Sequence, residues 1–301
     1  MSRLFDSYII VDWSAASTKT VGADSIWIGI LAPNARFQLV YRDLNPATRA
    51  EAEAELRTAL DALLKRGDRV LLGFDFPLGY PKGTAQALNL PDANWSDMWS
   101  FLAKEMKDKP DNSNNRFQLA AQMNRRISGK AFPFWGCPAR DALTTLTVKK
   151  TNEHGPDTLA EFRLCEAEAI RQRKGRPSPV WKLAYAGNVG SQALTGIPVV
   201  KRLRESYPRA RVWPFETGWQ PMTQSTLEDT QLVIAEIYPS IIPVSGEARE
   251  VKDQAQVREL ALAFSKYDEA KRFGALFGPP GSTDDTVKGA VEHEEGWILG
   301  V

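Results

Sequence analysis

Two aspartates each close an apolar run: residues 7–11 (SYIIV) lead into Asp12, and residues 69–74 (RVLLGF) lead into Asp75. An acid at the C-terminal end of a buried strand projects into the crevice beyond the sheet, where α/β proteins place their chemistry. If the two strands are parallel neighbours, the carboxylates stand side by side, and like charges so placed are costly unless a cation neutralises them. Oxygen ligands of this kind suit Mg²⁺ or Mn²⁺. A third acid comes from residues 231–237 (QLVIAEI), whose alternation sets Glu236 opposite Val233, Ala235 and Ile237, just before Tyr238-Pro239; Glu216 competes for the same role. A fourth comes from the start of the last helix, at Asp284 or Asp285. Ser282 reads as its N-cap, with Asp285 three residues on in a variant capping box. Helical phase instead turns Asp284 toward the apolar face of Val287, Ala290, Val291 and Ile298. Each acid taken singly also fits a loop cap or a solvated surface; the Asp12/Asp75 pair is harder to dismiss.

The elements that position these acids can be read from periodicity. Residues 26–31 (IWIGIL) and 37–41 (FQLVY) are strands joined by a turn, so with residues 7–11 they form a β-meander. Pro46 opens a helix over 47–65, closed by Gly67, and the strand at 69–74 follows. Three strands, a helix and a fourth strand make an α/β core. Beyond residue 81 the periodicity weakens, and Trp, Asn, Pro and basic residues become frequent up to about residue 195. This is expected to be an insertion lobe, residues 82–195, partly helical at 97–107, 116–128 and 158–173, within a core of residues 1–81 and 196–301. A helix at 199–207, strands at 211–216 and 231–237, a helix at 253–264 and a last helix from about residue 283 complete the chain.

With 43% apolar and 25% charged residues, the 301-residue chain has the composition of a soluble globular protein. No apolar run approaches the ~18 residues of a membrane span, so a cytoplasmic protein with no membrane partner is expected. Cys137, Cys165, His154 and His293 lack the spacing of a zinc site. The net charge of +1 hides an asymmetry: residues 100–211 carry 21 Lys and Arg against 10 Asp and Glu, and the remainder 17 against 27. A basic insert of this kind can gather a polyanion, nucleic acid or a phosphodiester or nucleotide substrate, over an acidic site. Arg171, Arg173, Lys174 and Arg176, with Ser14 beside Asp12, are the candidate substrate contacts. Phe132, Phe134, Trp135 and Trp181 are candidate stacking rings, although clustered aromatics more often form core.

Four segments, Ile9-Ile10-Val11-Asp12-Trp13-Ser14, Gly73-Phe74-Asp75-Phe76-Pro77-Leu78-Gly79-Tyr80-Pro81, Ala235-Glu236-Ile237-Tyr238-Pro239 and Thr283-Asp284-Asp285 followed by Gly289-Ala290, together resemble the domain of unknown function 429 family. The resemblance implies a ribonuclease H-like nuclease: a mixed sheet flanked by helices, here with a large insertion after the fourth strand. It makes Asp12, Asp75 and one of Asp284 and Asp285 metal ligands and Glu236 a further catalytic acid, and it favours Asp285 over Asp284. Lys288 departs from the pattern, since such helices often carry a second acid there.

Two rival readings stand beside it. Residues 12–19 (DWSAASTK) also look like the first phosphate loop of actin-like ATPases and sugar kinases, but the second Gly-rich phosphate loop of an ATP-dependent phosphotransferase is not found after Glu236. The other is a binding protein that keeps the fold without turnover.

Overall fold

The computed structural model describes residues 3–185, 187–242 and 250–301. Six strands, β1 (Ser7–Asp12), β2 (Trp27–Pro33), β3 (Leu39–Leu44), β4 (Val70–Phe74), β5 (Ala210–Val212) and β6 (Leu232–Glu236), form one mixed sheet in the order β3-β2-β1-β4-β6-β5. The first three pair antiparallel as the expected meander, and β4, β6 and β5 run parallel to β1.

Because the central strands are buried on both faces, they are apolar throughout, and alternate residues feed two different cores. Ile9, Val11, Leu72, Phe74 and Ile234 join one; Tyr8, Ile10, Leu71, Val233 and Ala235 join the other. On the first face lies α1 (Arg49–Lys65), which contributes Ala52, Leu56, Leu60 and Leu63. Thr48 caps it, accepting a hydrogen bond from the Glu51 amide. The chain beyond β4 then supplies α2 (Thr84–Ala87), α3 (Trp95–Glu105), α4 (Arg116–Ile127) and, after α5 (Leu164–Arg171), which puts Cys165 and Ala169 into the other core, α6 (Val189–Ser206). The second face is covered by α7 (Lys252–Glu269), through Val257, Leu260, Ala261 and Phe264. A short α8 (Asp285–Ala290) and a π-type turn over Val291–Glu295 precede the C-terminal residues.

Residues 82–195 do not form a core apart from the sheet. Trp99, Leu102, Phe117, Phe134 and Trp181 belong to the same apolar cluster as Ile9, Val11 and Phe74. With Phe134 and Trp181 fully buried, these rings are core rather than stacking platforms. The helix expected at 199–207 begins ten residues earlier, at Val189, and runs through Gly190, Gly196 and Pro198, residues that ordinarily interrupt helices. Gly196 faces the ring of Phe76, where a Cβ would come within 2.2 Å of Cζ. Close packing against Phe76, in the loop after β4, thus explains why a glycine stands in this helix. Among the described residues no helix is long and apolar enough to cross a membrane.

Candidate active site

Asp12 is the last residue of β1, and Asp75 follows the last residue of β4. The two strands pair in parallel with Val11 opposite Phe74, so the next residue on each is an aspartate. The Asp75 amide donates to the Val11 carbonyl (3.2 Å), and Asp75 Oδ1 accepts from the Trp13 amide (2.7 Å). The expected juxtaposition is therefore present: both acids line one open cleft of about 460 Å³.

Two further carboxylates line the same cleft, Asp253 from the first turn of α7 and Asp24 from the loop between β1 and β2. Asp253 Oδ2 accepts from the Asp24 amide (2.9 Å), tying that loop to the helix. The crowding is visible in the electrostatics. Burial, then the charges of Asp75, Asp253 and Asp24, hold Asp12 well above the usual carboxylate range, with Lys252 opposing. Burial also pushes Asp75 up to about 7, against the Trp13 hydrogen bond and with help from Asp253 and Glu236. A desolvated pair of like charges favours a shared proton or a cation.

The rest of the lining comes partly from the middle of the chain: Arg116 at the start of α4, Tyr185, and Asn188 and Gln192 at the start of α6. Arg116 donates to Ser191 Oγ (3.1 Å), Ser17 Oγ (2.8 Å) and Asn114 Oδ1 (3.0 Å), and among the described residues no carboxylate forms a salt bridge with it. Burial and the nearby Arg49 lower its pKa to about 10. Arg49 itself is 2% exposed and pins the loop after β1. It donates to the carbonyls of Ser14 (3.1 Å) and Ala16 (2.7 Å) while holding both oxygens of Asp108 at 2.6 Å. Gln192 completes the clamp by donating to the Trp13 carbonyl.

Glu236 is placed differently from expectation. It pairs in register with Phe74, one residue short of Asp75, so its side chain leaves the opposite face of the sheet. There Arg163 grips it through Nη1 (2.8 Å) and Nη2 (2.5 Å), and the Leu78 amide donates to it as well (3.0 Å). Its oxygens are engaged in a buried ion pair that also includes Glu166. Glu216 is likewise held, by Arg204 at 2.7 Å.

Asp284 and Asp285 are exposed and do not line the cleft. Asp284, not Ser282, is the N-cap of α8, accepting from the Val287 amide (2.9 Å). The turn after α8 instead packs Glu294 and Glu295 onto the loop following β4, accepting from Gly83 (2.7 Å) and Lys82 (2.8 Å). That approach explains Gly79, where a Cβ would meet the Glu295 carbonyl oxygen at 2.3 Å.

Of the expected substrate contacts, Ser14 lines the main cleft and Arg176 a second cavity of about 220 Å³ that shares Asp75 and Gly187 with it. Arg171 is paired with Glu168 in solvent, Lys174 donates to the Gly300 carbonyl (2.8 Å), and Arg173 lines neither cavity. Asp253, Asp24, Arg116, Gln192 and Arg49 were not singled out by the sequence. A helix-opening acid and a helix-opening arginine are their only local signals. Among the described residues no three His, Cys, Asp or Glu side chains converge closely enough to cage a metal ion. Comparison of the chain with protein families, curated proteins and solved structures gives no match.

Proposed function

We propose that the protein is a metal-dependent phosphodiesterase of the ribonuclease H-like type, working at the Asp12/Asp75 pair. The observation that carries this reading is the pair itself: two strand-terminal carboxylates, neighbours on parallel strands, desolvated and mutually repelling in an open cleft. The meander followed by parallel β4 and β6 agrees with the sheet that the resemblance implies.

The donor set suits a hard divalent cation held by one or two carboxylates and completed by water and substrate oxygens, which is how Mg²⁺ is commonly bound. Asp12 and Asp75 would hold it, with Asp253 next in line. A bound Mg²⁺ or Mn²⁺ would neutralise the pair and stabilise charge on an attacked phosphate. The chain's own groups do the remaining work. The Trp13 amide fixes the Asp75 carboxylate, and Arg49 and Gln192 hold the loop that carries Ser14. Arg116, in the lining of the same cleft, offers N–H donors to an anion.

Hydrolysis of bis(p-nitrophenyl) phosphate by the full chain, with Mn²⁺ and with EDTA, tests the reading. Turnover that needs Mn²⁺ and is lost in Asp12→Asn and Asp75→Asn is the expected result. Absence of turnover on this diester and on single-stranded and duplex nucleic acids, at any Mn²⁺ or Mg²⁺ level, would leave a binding protein.

A further inference from the structure

β3 closes one end of the sheet, and among the described residues β2 is its one strand neighbour. Across the hairpin that joins them the Asn34 amide donates to the Gln38 carbonyl (2.9 Å). Gln38 and, by alternation, Val40 and Arg42 thus turn their backbone groups toward β2. The amides and carbonyls of Leu39, Tyr41 and Asp43 point outward, and among the described residues no strand receives them. An open edge of this kind is a template for another strand. Gln38, Val40 and Arg42 are exposed, Val40 at 50%. The hairpin turn carries a second observation. Phe37 donates its amide to the Asn34 carbonyl (2.9 Å) and holds a left-handed φ of 61°, the place in a three-residue hairpin loop that glycine ordinarily takes. A phenylalanine is strained there, and its ring is 88% exposed. Neither the turn nor the core accounts for this residue.

We infer that β3 pairs antiparallel with β3 of a second copy of this chain about a two-fold axis at Val40, joining the two sheets edge to edge. Side-chain chemistry selects this register. With Val40 opposite Val40, Gln38 faces Arg42 of the other copy, and its amide oxygen can accept from the guanidinium. Leu39 and Tyr41, whose backbone groups point outward, face each other and exchange hydrogen bonds in both directions. A centre at Arg42 would set two like charges together, and one at Tyr41 would set Arg42 against Val40. The Val40 centre also carries Phe37 to the end of the other copy's β3, beside Asp43, where the ring covers the last rung of the ladder. β2 separates this edge from β1 and the Asp12/Asp75 cleft, so the pairing does not rest on the reaction proposed there.

Sedimentation equilibrium of the full chain, from micromolar to hundred-micromolar concentrations, should show a monomer–dimer equilibrium, since one pair of strands makes a small interface of the weak class. Val40→Lys places two like charges on the axis and should weaken the dimer about tenfold. Phe37→Gly should weaken it about as much while leaving the melting temperature of the monomer unchanged or higher, because glycine suits the turn. Both side chains are exposed, so neither replacement disturbs the core. Disulfide trapping reads the register. Facing Cα atoms in a non-hydrogen-bonded pair lie about 4.5 Å apart, within disulfide reach, so Val40→Cys treated with diamide should run as a covalent dimer. Arg42→Cys should not, since its counterpart in the other copy lies roughly 14 Å away along the strands. Native Cys137 and Cys165 are fully buried and do not compete. A chain monomeric throughout that range, which would leave the edge to a different protein's strand, overturns the pairing. So does a dimer indifferent to both Val40→Lys and Phe37→Gly, or equal trapping of Val40→Cys and Arg42→Cys.

Discussion

Arg163 holds Glu236 through both terminal nitrogens, at 2.8 and 2.5 Å, with neither residue more than 3% exposed. The same guanidinium reaches Glu166 and the Glu295 carbonyl, so one cation joins the end of β6, the start of α5 and the turn after α8. Breaking one arm of a buried pair typically costs about 3–5 kcal/mol, much of it from the partner left uncompensated. Arg163 keeps Glu166, which places Glu236→Ala at the low end, about 3 kcal/mol less stable in urea unfolding. If Glu236→Ala unfolds like the unaltered chain yet loses Mn²⁺-dependent hydrolysis, Glu236 belongs to the catalytic set after all.

Asp253 and Asp24 yield a second expectation. Asp253→Asn keeps an oxygen to accept the Asp24 amide, so the loop stays anchored while one negative charge leaves the cleft. Its charge adds to the field at Asp12 and Asp75. Groups that act on a metal site from just outside it usually change affinity or rate by about 10–100-fold. Mn²⁺ titration monitored by hydrolysis should therefore need roughly tenfold more metal in the variant, in the same range of outer-ligand effects. An unchanged Mn²⁺ requirement would show that Asp253 serves the loop alone.

Asp12 and Asp75 were legible because a strand-helix-strand crossover forces parallel neighbours, and an apolar run that stops at an acid marks the sheet edge. Glu236 was read to the correct face relative to Val233, Ala235 and Ile237. What its own strand could not supply was the register with β4, and a shift of one residue exchanges faces. Asp284 and Asp285 were drawn in by a short pattern; capping explains Asp284. Asp253, Arg116 and Arg49 stayed hidden since their roles depend on where a helix end lands in space. Arg49 shows this most plainly: it opens α1, yet its partners are Asp108 and the carbonyls of Ser14 and Ala16, brought to it only by packing.

The Asp75 titration gives stability a pH dependence of defined sign. Its folded pKa, about 7, lies above the ordinary value of 3.8. Between these values the folded chain binds more protons than the unfolded one, so this group's contribution falls as pH rises from about 4 to about 7. In EDTA the melting temperature should therefore drop over this range by more than in Asp75→Asn, whose amide still accepts from Trp13 but carries no proton equilibrium. A full shift corresponds to at most about 4 kcal/mol, and coupling to Asp12 spreads it over both groups. Parallel pH profiles for the two proteins would mean that the Asp75 carboxylate is not desolvated as the geometry requires.

Asp12→Asn separates a cation site from a structural turn. Asp12 is raised by burial first and by Asp75 next, so its negative charge is a burden on the metal-free fold. An amide of the same size removes that burden, and each pKa unit relieved corresponds to about 1.4 kcal/mol. In EDTA at neutral pH the variant should melt as high as the unaltered chain or a few degrees higher. Mn²⁺ reverses the order. A cation held by the pair stabilises the unaltered chain by about 1.4 kcal/mol at ten times its dissociation constant, a gain of a few degrees for a domain of this size. The variant, with one ligand charge gone, should gain little at the same Mn²⁺ concentration. The opposite pattern, a variant several degrees less stable in EDTA beside an unaltered chain that ignores Mn²⁺, is what loss of a buried hydrogen-bond acceptor would produce at a cost of about 1–3 kcal/mol. That result would make Asp12 a structural residue and remove the ground for a metal-dependent reaction at this cleft.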